Sequence, residues 1–216
     1  LYIIEDAAQS FGAEIDGKKS CSFGNVGATS FFPAKPLGGY GDGGAIFTND
    51  DNINNKLISI RNHGQGETRY DNIRIGLNGR LDTIQAAILM EKIKIFPNEL
   101  EMRERVANKY SSLLKQSFEY QTIGSKFKSA WAQYSILAKS DSHRTICIEN
   151  LKKANIPTAI YYPKPLHLQK AFTELNYSFG DIPITESISS RIFSIPMHPY
   201  LKDDEIVKIC EILLKC

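Results

Sequence analysis

One lysine in this chain stands where its amine could do chemistry. Lys35 lies in the run Pro33-Ala-Lys-Pro36, and five glycines follow between Gly38 and Gly44. The prolines fix φ on either side of the lysine, and the glycines let backbone pass close by. The surrounding stretch, 26–49, reads as strand, turn, strand. Val26 to Phe32 and Ala45 to Thr48 are short, apolar and β-prone, and Pro, Gly and Asp crowd the interval. A lysine on a rigid turn between two apolar strands can be partly desolvated. Desolvation lowers its pKa and favours condensation with a carbonyl. Taken alone, a lysine is more often a solvated surface charge.

The second group is Asp6. Leu1-Tyr-Ile-Ile-Glu-Asp6 reads as a buried strand ending in an acid, and open α/β sheets bind ligands at the carboxyl ends of their strands. An aspartate there, 29 positions before a turn lysine, has the layout of a pyridoxal phosphate site. The lysine would form the imine, and the aspartate would pair with the pyridinium nitrogen so that the ring can act as an electron sink. By itself, a strand-end aspartate is more often a cap or turn residue.

Five further blocks bear on this: E-D-A-A-Q-S-F-G-A (5–13), T-S-F-F-P-A-K-P-L-G (29–38), G-D-G-G-A-I-F-T-N-D (41–50), R-N-H-G (61–64) and G-L-N-G-R-L-D-T-I-Q-A-A-I-L (76–89). In type and order they resemble the signature blocks of the DegT/DnrJ/EryC1/StrS family of pyridoxal-phosphate-dependent nucleotide-sugar aminotransferases. The resemblance continues through Y-Y-P-K-P-L (161–166) and S-I-P-M-H-P-Y-L (194–201), so it covers essentially the whole chain. It implies an α/β fold of type I, aspartate aminotransferase-like. Residues 1–116 would be the C-terminal part of the cofactor-binding large domain with a connector helix, and 117–216 a small α+β domain. A longer N-terminal part would precede Leu1 in such a protein, supplying the first strands, a helix N-terminus for the cofactor phosphate and a residue stacked on the ring.

The activity so implied is transamination from L-glutamate to a nucleotide-linked keto-sugar by a cytoplasmic homodimer. The blocks look most like those of enzymes acting on UDP-2-acetamido-2-deoxy-3-oxo-glucuronate for bacterial surface polysaccharides. Three alternatives stand beside this reading. One is a 4-keto-sugar aminotransferase of the same family. Another is a sugar 3-dehydrase, in which a His replaces the lysine, and Lys35 argues against it. The third is an inactive or partner-binding remnant without the first half of the site.

By the same resemblance Lys35 and Asp6 are catalytic and hold the cofactor. Gln9 contacts its ring, Ser30 its phosphate, and Asn78 the phosphate of the neighbouring subunit. Arg80 faces the carboxylate of glutamate or of a uronic acid, a task suited to its bidentate fork. Tyr162 contacts the sugar, and Tyr161 stands where close relatives carry His. Gly39-x-Gly41-x-x-Gly44 matches a dinucleotide fingerprint literally, but that motif must open a helix and here a β-like run follows. His63 lies at a helix end, and His167 and His198 lack metal-ligand spacing, so no metal site is indicated.

The net charge of +2 suggests neither nucleic acid nor anionic lipid as a partner. No apolar run approaches the roughly 20 residues that span a bilayer. The four cysteines lack disulfide-framework spacing and read as reduced thiols, with Cys147 and Cys210 buried on helices. The expected elements are an irregular 7–25 and a helix capped by Asp50 or Asp51 through Arg61. A mobile loop over 65–75 follows, at a subunit boundary. A helix capped by Asp82, with Ile84, Ala87, Ile88, Glu91 and Ile95 on one side, should break at Pro97, and another helix should run from 98 to 115. Strands follow over 130–138 and 156–162, and helices over 142–154, 184–193 and 203–214.

Overall fold

Val26-Gly-Ala-Thr-Ser alternates half-buried and buried residues and forms the central strand of the sheet that carries Asp6. In the computed structural model, which describes residues 1–68 and 70–216, that sheet belongs to the first of two units. The first unit is Leu1–Leu100 with Ile123–Ala132, and the second is Glu101–Thr122 with Gln133–Cys216. The sequence put the change at 116/117; contacts put it at 100/101, inside a helix.

The first unit contains β1 (Ile4–Asp6), a hairpin of β2 (Glu14–Ile15) and β3 (Lys18–Lys19), β4 (Val26–Ser30), β5 (Gly44–Phe47), α1 (Asp51–Arg61) and the first part of α2 (Thr83–Leu114). The 7–25 segment is thus less irregular than expected. β1 pairs in parallel with β4, Asp6 opposite Ala28, and β5 pairs antiparallel along the other edge of β4, Gly44 opposite Ser30. Strand side chains alternate between faces, so the two faces of this sheet differ. Phe47 lies on the packed face, where Phe11 stacks 6.0 Å from it and 5.8 Å from Phe96 of α2. Leu37, Leu89 and Phe96 form the small core there. The opposite face carries Asp6, Ala28, Ser30 and Ile46.

Asp50 caps α1, its Oδ1 accepting from the N–H groups of Asn52 (2.8 Å) and Ile53 (3.0 Å), a contact worth ~1 kcal/mol. Arg69, inside the expected mobile loop, lies outside the described residues. Two expectations for the next helix fail. α2 runs unbroken through Pro97. The proline costs one backbone hydrogen bond to the carbonyl of Ile93, but that turn is exposed, where water can satisfy the carbonyl. Burial of Phe96 and Glu99 holds the helix on either side. The buried side is also the other one: Ile84 is 74% exposed and Ile95 49%, whereas Leu89 and Phe96 are buried. Polar Gln85 and Lys92 interrupt that true inner stripe, which hid it from a periodicity reading.

Following α2 come β6 (Glu119–Tyr120), β7 (Phe127–Lys128), β8 (Tyr134–Leu137), α3 (Asp141–Lys153), α4 (Pro183–Arg191), β9 (Ile192–Ile195) and α5 (Asp203–Leu213). β7 returns to pair with β2 in the first unit. In the second, an antiparallel sheet in the order β6–β8–β9 lies with α3, α5 and the last turns of α2. Tyr110, Tyr134, Phe193 and Ile206 are among its largest fully buried side chains, with the thiols of Cys147 and Cys210 buried beside them, as expected. Burial pushes both thiols up to about 12.

The strand expected over 130–138 starts only at Tyr134, because Trp131 adopts φ 44°. The strand expected over 156–162 reduces to one bridge, Ala159 opposite Ser194. The helix expected through 193 ends at Arg191, where the β-prone Ile-Phe-Ser-Ile run becomes β9. Lys202 occupies the cap position of α5, and its N–H donates to Glu205 Oε2 at 2.9 Å. Among the described residues no helix is long and apolar enough to cross a membrane, and no three His, Cys, Asp or Glu side chains gather as metal ligands.

Candidate active site

Asp6 and Ser30 end two parallel neighbours, and the register puts them on the same face of the sheet. Asp6 is opposite Ala28, and Ser30 lies two residues further along β4, about 7 Å up the strand. One Asp6 oxygen, Oδ1, accepts from the Ala8 N–H at 3.0 Å and starts the turn over 7–12. Gln9 sits exposed on that turn, three residues beyond Asp6. The other oxygen, Oδ2, has no hydrogen-bond partner among the described residues. The Ser30 hydroxyl oxygen accepts from the Phe32 N–H at 3.2 Å, which leaves its proton free to donate.

Lys35 follows five residues after Ser30 and is half-buried. A turn forms around it: its own N–H donates to the Phe32 carbonyl at 2.8 Å, and the Gly39 N–H donates to the Phe31 carbonyl at 2.7 Å. Gly38 closes this turn, since a Cβ there would lie 2.5 Å from the Pro33 carbonyl oxygen, nearer than any side chain can approach. The Lys35 amine itself has no hydrogen bond or ion pair among the described residues.

α2 holds the glycine-rich run through two residues that the sequence reading did not single out. Gln85 Oε1 accepts from the Tyr40 N–H at 2.7 Å, and the Lys92 amine donates to the Gly38 carbonyl. Their seven-residue spacing puts both on the face that also carries Leu89 and Phe96. Polar side chains on a packed stripe were the available signal. Gly44 begins β5 rather than a helix, so the dinucleotide fingerprint is a coincidence of spelling.

Asn78 and Arg80 form a separate group. The segment carrying them is zipped onto the end of α1: the Leu77 N–H donates to Ile60 O (2.8 Å), the Gly79 N–H to Arg61 O (2.9 Å) and the His63 N–H to Leu77 O (3.0 Å). Gly64, at φ 75°, permits the close approach, since a Cβ there would strike the Arg74 carbonyl. Arg80 Nη2 donates to Asn78 Oδ1 at 2.9 Å. The remaining guanidinium N–H groups and the Asn78 amide N–H groups are donors, and with the arginine charge they favour an anion. No hydrogen bond joins this pair to Asp6, Ser30 or Lys35 among the described residues. His63 only shapes the turn, at φ 62°.

Tyr161 and Tyr162 belong to the second unit, just past the Ala159 bridge, and are 53% and 76% exposed. The strand expected to carry them ends before they begin.

This donor set fits pyridoxal phosphate: a carboxylate with one uncommitted oxygen for a pyridinium N–H, an unpaired amine for an aldehyde, and a hydroxyl with a spare proton for a phosphate. Comparison with known proteins points the same way. Residues 1–214 match the model of the DegT/DnrJ/EryC1/StrS aminotransferase family. The chain is 45% identical over 218 residues to the UDP-2-acetamido-2-deoxy-3-oxo-D-glucuronate aminotransferase of Pseudomonas aeruginosa, covering 99% of this chain and 58% of that protein. It is 35% identical over 215 residues to the UDP-N-acetyl-3-dehydro-alpha-D-glucosamine 3-aminotransferase of Acidithiobacillus ferrooxidans, covering 99% of this chain and 56% of the relative. The crystal structure of a DegT DnrJ EryC1 StrS aminotransferase from Brucella abortus superposes with a TM-score of 0.91 at 50% identity, over 100% of this chain and 57% of that one. The chain therefore spans little more than half the length of the relatives it matches.

Proposed function

Because the chain belongs to the DegT/DnrJ/EryC1/StrS aminotransferase family, we propose that its protein transfers the amino group of L-glutamate to a UDP-linked 3-keto sugar. The sugar in this reading is UDP-2-acetamido-2-deoxy-3-oxo-glucuronate, and its use is in bacterial surface polysaccharide synthesis. The observation that carries the proposal is the register of β1 and β4, which sets Asp6 and Ser30 on one face at one end of the sheet, with the Lys35 turn just beyond. Both relatives named above act on UDP-linked N-acetyl sugars oxidised at position 3, which favours that position over a 4-keto sugar. They differ in whether the sugar is a uronate.

Bound pyridoxal phosphate supplies an electron sink for the carbanion that transamination requires. The Lys35 amine would hold the cofactor and, once freed by the amino acid, would take the proton from the substrate α-carbon and return it to the carbon on the far side of the amino nitrogen. Asp6 Oδ2 holds the proton on the ring nitrogen. Gln9 orients the ring, Ser30 donates to the phosphate, and Asn78 donates to the phosphate held by a second copy of the chain in a homodimer. Arg80 pairs with the carboxylate of glutamate or of the uronic acid, and Tyr161 and Tyr162 contact the sugar. The two substrates take turns in one site, so the amino-acid half and the sugar half can be measured separately. Offering the whole protein UDP- and dTDP-linked 3-keto and 4-keto sugars with L-glutamate tests the reading. Amination of the UDP-linked 3-keto uronate above all others is expected, and a preference for a 4-keto sugar would contradict it.

A further inference from the structure

The second unit contains a buried charge that none of these roles uses. Glu186 lies in the first turn of α4; its side chain is 4% exposed and that of His167 is 5% exposed. A carboxylate is buried only where partners satisfy it. Glu186 Oε1 lies 2.9 Å from His167 Nε2. The Gly180 N–H donates to both oxygens, at 3.0 and 2.8 Å, and the Ile182 N–H donates to Oε1 at 3.2 Å. The Tyr177 ring stands edge-on to His167, with centroids 6.1 Å apart.

These donors come from two limbs of one excursion. Beyond Ala159, bridged to Ser194, the chain leaves the sheet and passes through two short 3-10 turns, Leu166–Leu168 and Lys170–Leu175, before α4 begins at Pro183. Of residues 160–185, Pro165 and His167 alone are buried. A stretch with so little apolar burial has low local stability unless polar contacts tie it down. Glu186 ties the outgoing limb through His167 and the returning limb through Gly180 and Ile182. Tyr161 and Tyr162 precede His167 by six and five residues, and Pro163 and Pro165 stiffen the link between them.

We propose that Glu186, through His167, is a positioning residue for the keto-sugar: it closes residues 160–182 into one loop and so fixes where the Tyr161 and Tyr162 rings meet the substrate. The proposal rests on the reading of those two tyrosines as sugar contacts. Glu186 touches no reacting atom, so its effect is confined to the half of the reaction in which the sugar is bound.

The test compares Glu186→Ala, Glu186→Gln and His167→Asn in the whole, cofactor-loaded protein. Amide hydrogen exchange over 166–182 reads the loop without any turnover. Glutamate alone reads the amino-acid half through the cofactor's visible band, and the UDP-keto-sugar KM reads the other half. Glu186→Ala is expected to speed exchange over 166–182 and to raise the sugar KM about 10- to 100-fold, the cost of a contact misplaced by roughly an ångström. The glutamate half should be unchanged. Glu186→Gln, which keeps an acceptor for the loop amides, should fall between. If Glu186→Ala does not fold, His167→Asn releases the outgoing limb alone and carries the same comparison. Unchanged exchange overturns the proposal, and so does faster exchange with an unchanged sugar KM. Failure of the tyrosine reading shows separately, as a normal sugar KM in both Tyr161→Ala and Tyr162→Ala.

Discussion

The end of the sheet around Lys35 and the loop around Glu186 handle polar groups in opposite ways. Asp6 commits one oxygen to a local turn and Lys35 commits nothing, while strand pairing fixes where Asp6 stands and a backbone turn braced by α2 side chains fixes Lys35. Glu186 is buried and spends both oxygens on three donors. A group left unpaired on a firmly held turn contributes little to stability and is available to a ligand. A buried, fully paired group shapes the chain around it. Removing groups of the first kind should therefore abolish chemistry and spare the fold, whereas removing the second should loosen structure and touch chemistry only indirectly.

The largest expected effect is at Lys35. Lys35→Ala in the whole protein should lower turnover by at least ~10²–10⁴-fold, the range for losing a positioned proton-transfer group, and thermal unfolding of the cofactor-free protein should stay where it was. A clear drop in melting temperature would show that the amine is structural and blur the contrast. Asp6→Ala comes next. It should weaken cofactor binding and leave what binds nearly inert, and it should cost about 1 kcal/mol through the lost Ala8 contact. Cofactor titration and denaturant unfolding read the two effects apart.

Lys92→Met sharpens the comparison, because Lys92 belongs to the support and not to the chemistry. Releasing the Gly38 carbonyl should reduce turnover about tenfold through a looser Lys35 turn, with glutamate and sugar halves affected alike. An effect on one half only would assign Lys92 to a substrate. The smallest effect concerns pH. Burial pushes the Glu186 carboxyl up, but N–H donation from Gly180, the His167 ring and N–H donation from Ile182 outweigh it and hold the group below its usual range. A depressed carboxylate lends stability that is complete above its ordinary pKa and is lost as pH falls through the depressed value. Exchange protection at Gly180 and Ile182 should therefore persist at neutral pH and fade on acidification, and in Glu186→Gln it should be flat over that range.

Much of the Lys35 end was legible in the sequence, because its determinants are local. Two prolines, a glycine run and flanking β-prone stretches define the turn, and Asp50 announces α1 by its type and place. The second unit was less legible. β9 is four residues following directly on a helix, and the 156–162 strand competes with an excursion that leaves the sheet after Ala159. Pro97 obeys a local rule that packing of α2 on both sides overrides. Gln85 and Lys92 look like surface residues until the helix face is known. His167 and Glu186 are 19 residues apart, and nothing short of the folded loop brings them together.

The central claim is that the amine at position 35 is the one that joins the cofactor. Borohydride reduction of the cofactor-loaded whole protein, followed by peptide mass spectrometry, tests it directly. The mass of one reduced cofactor should appear on Lys35 and should vanish in Lys35→Ala. Labelling of a different lysine, or no label on a protein that retains the cofactor, would contradict the account.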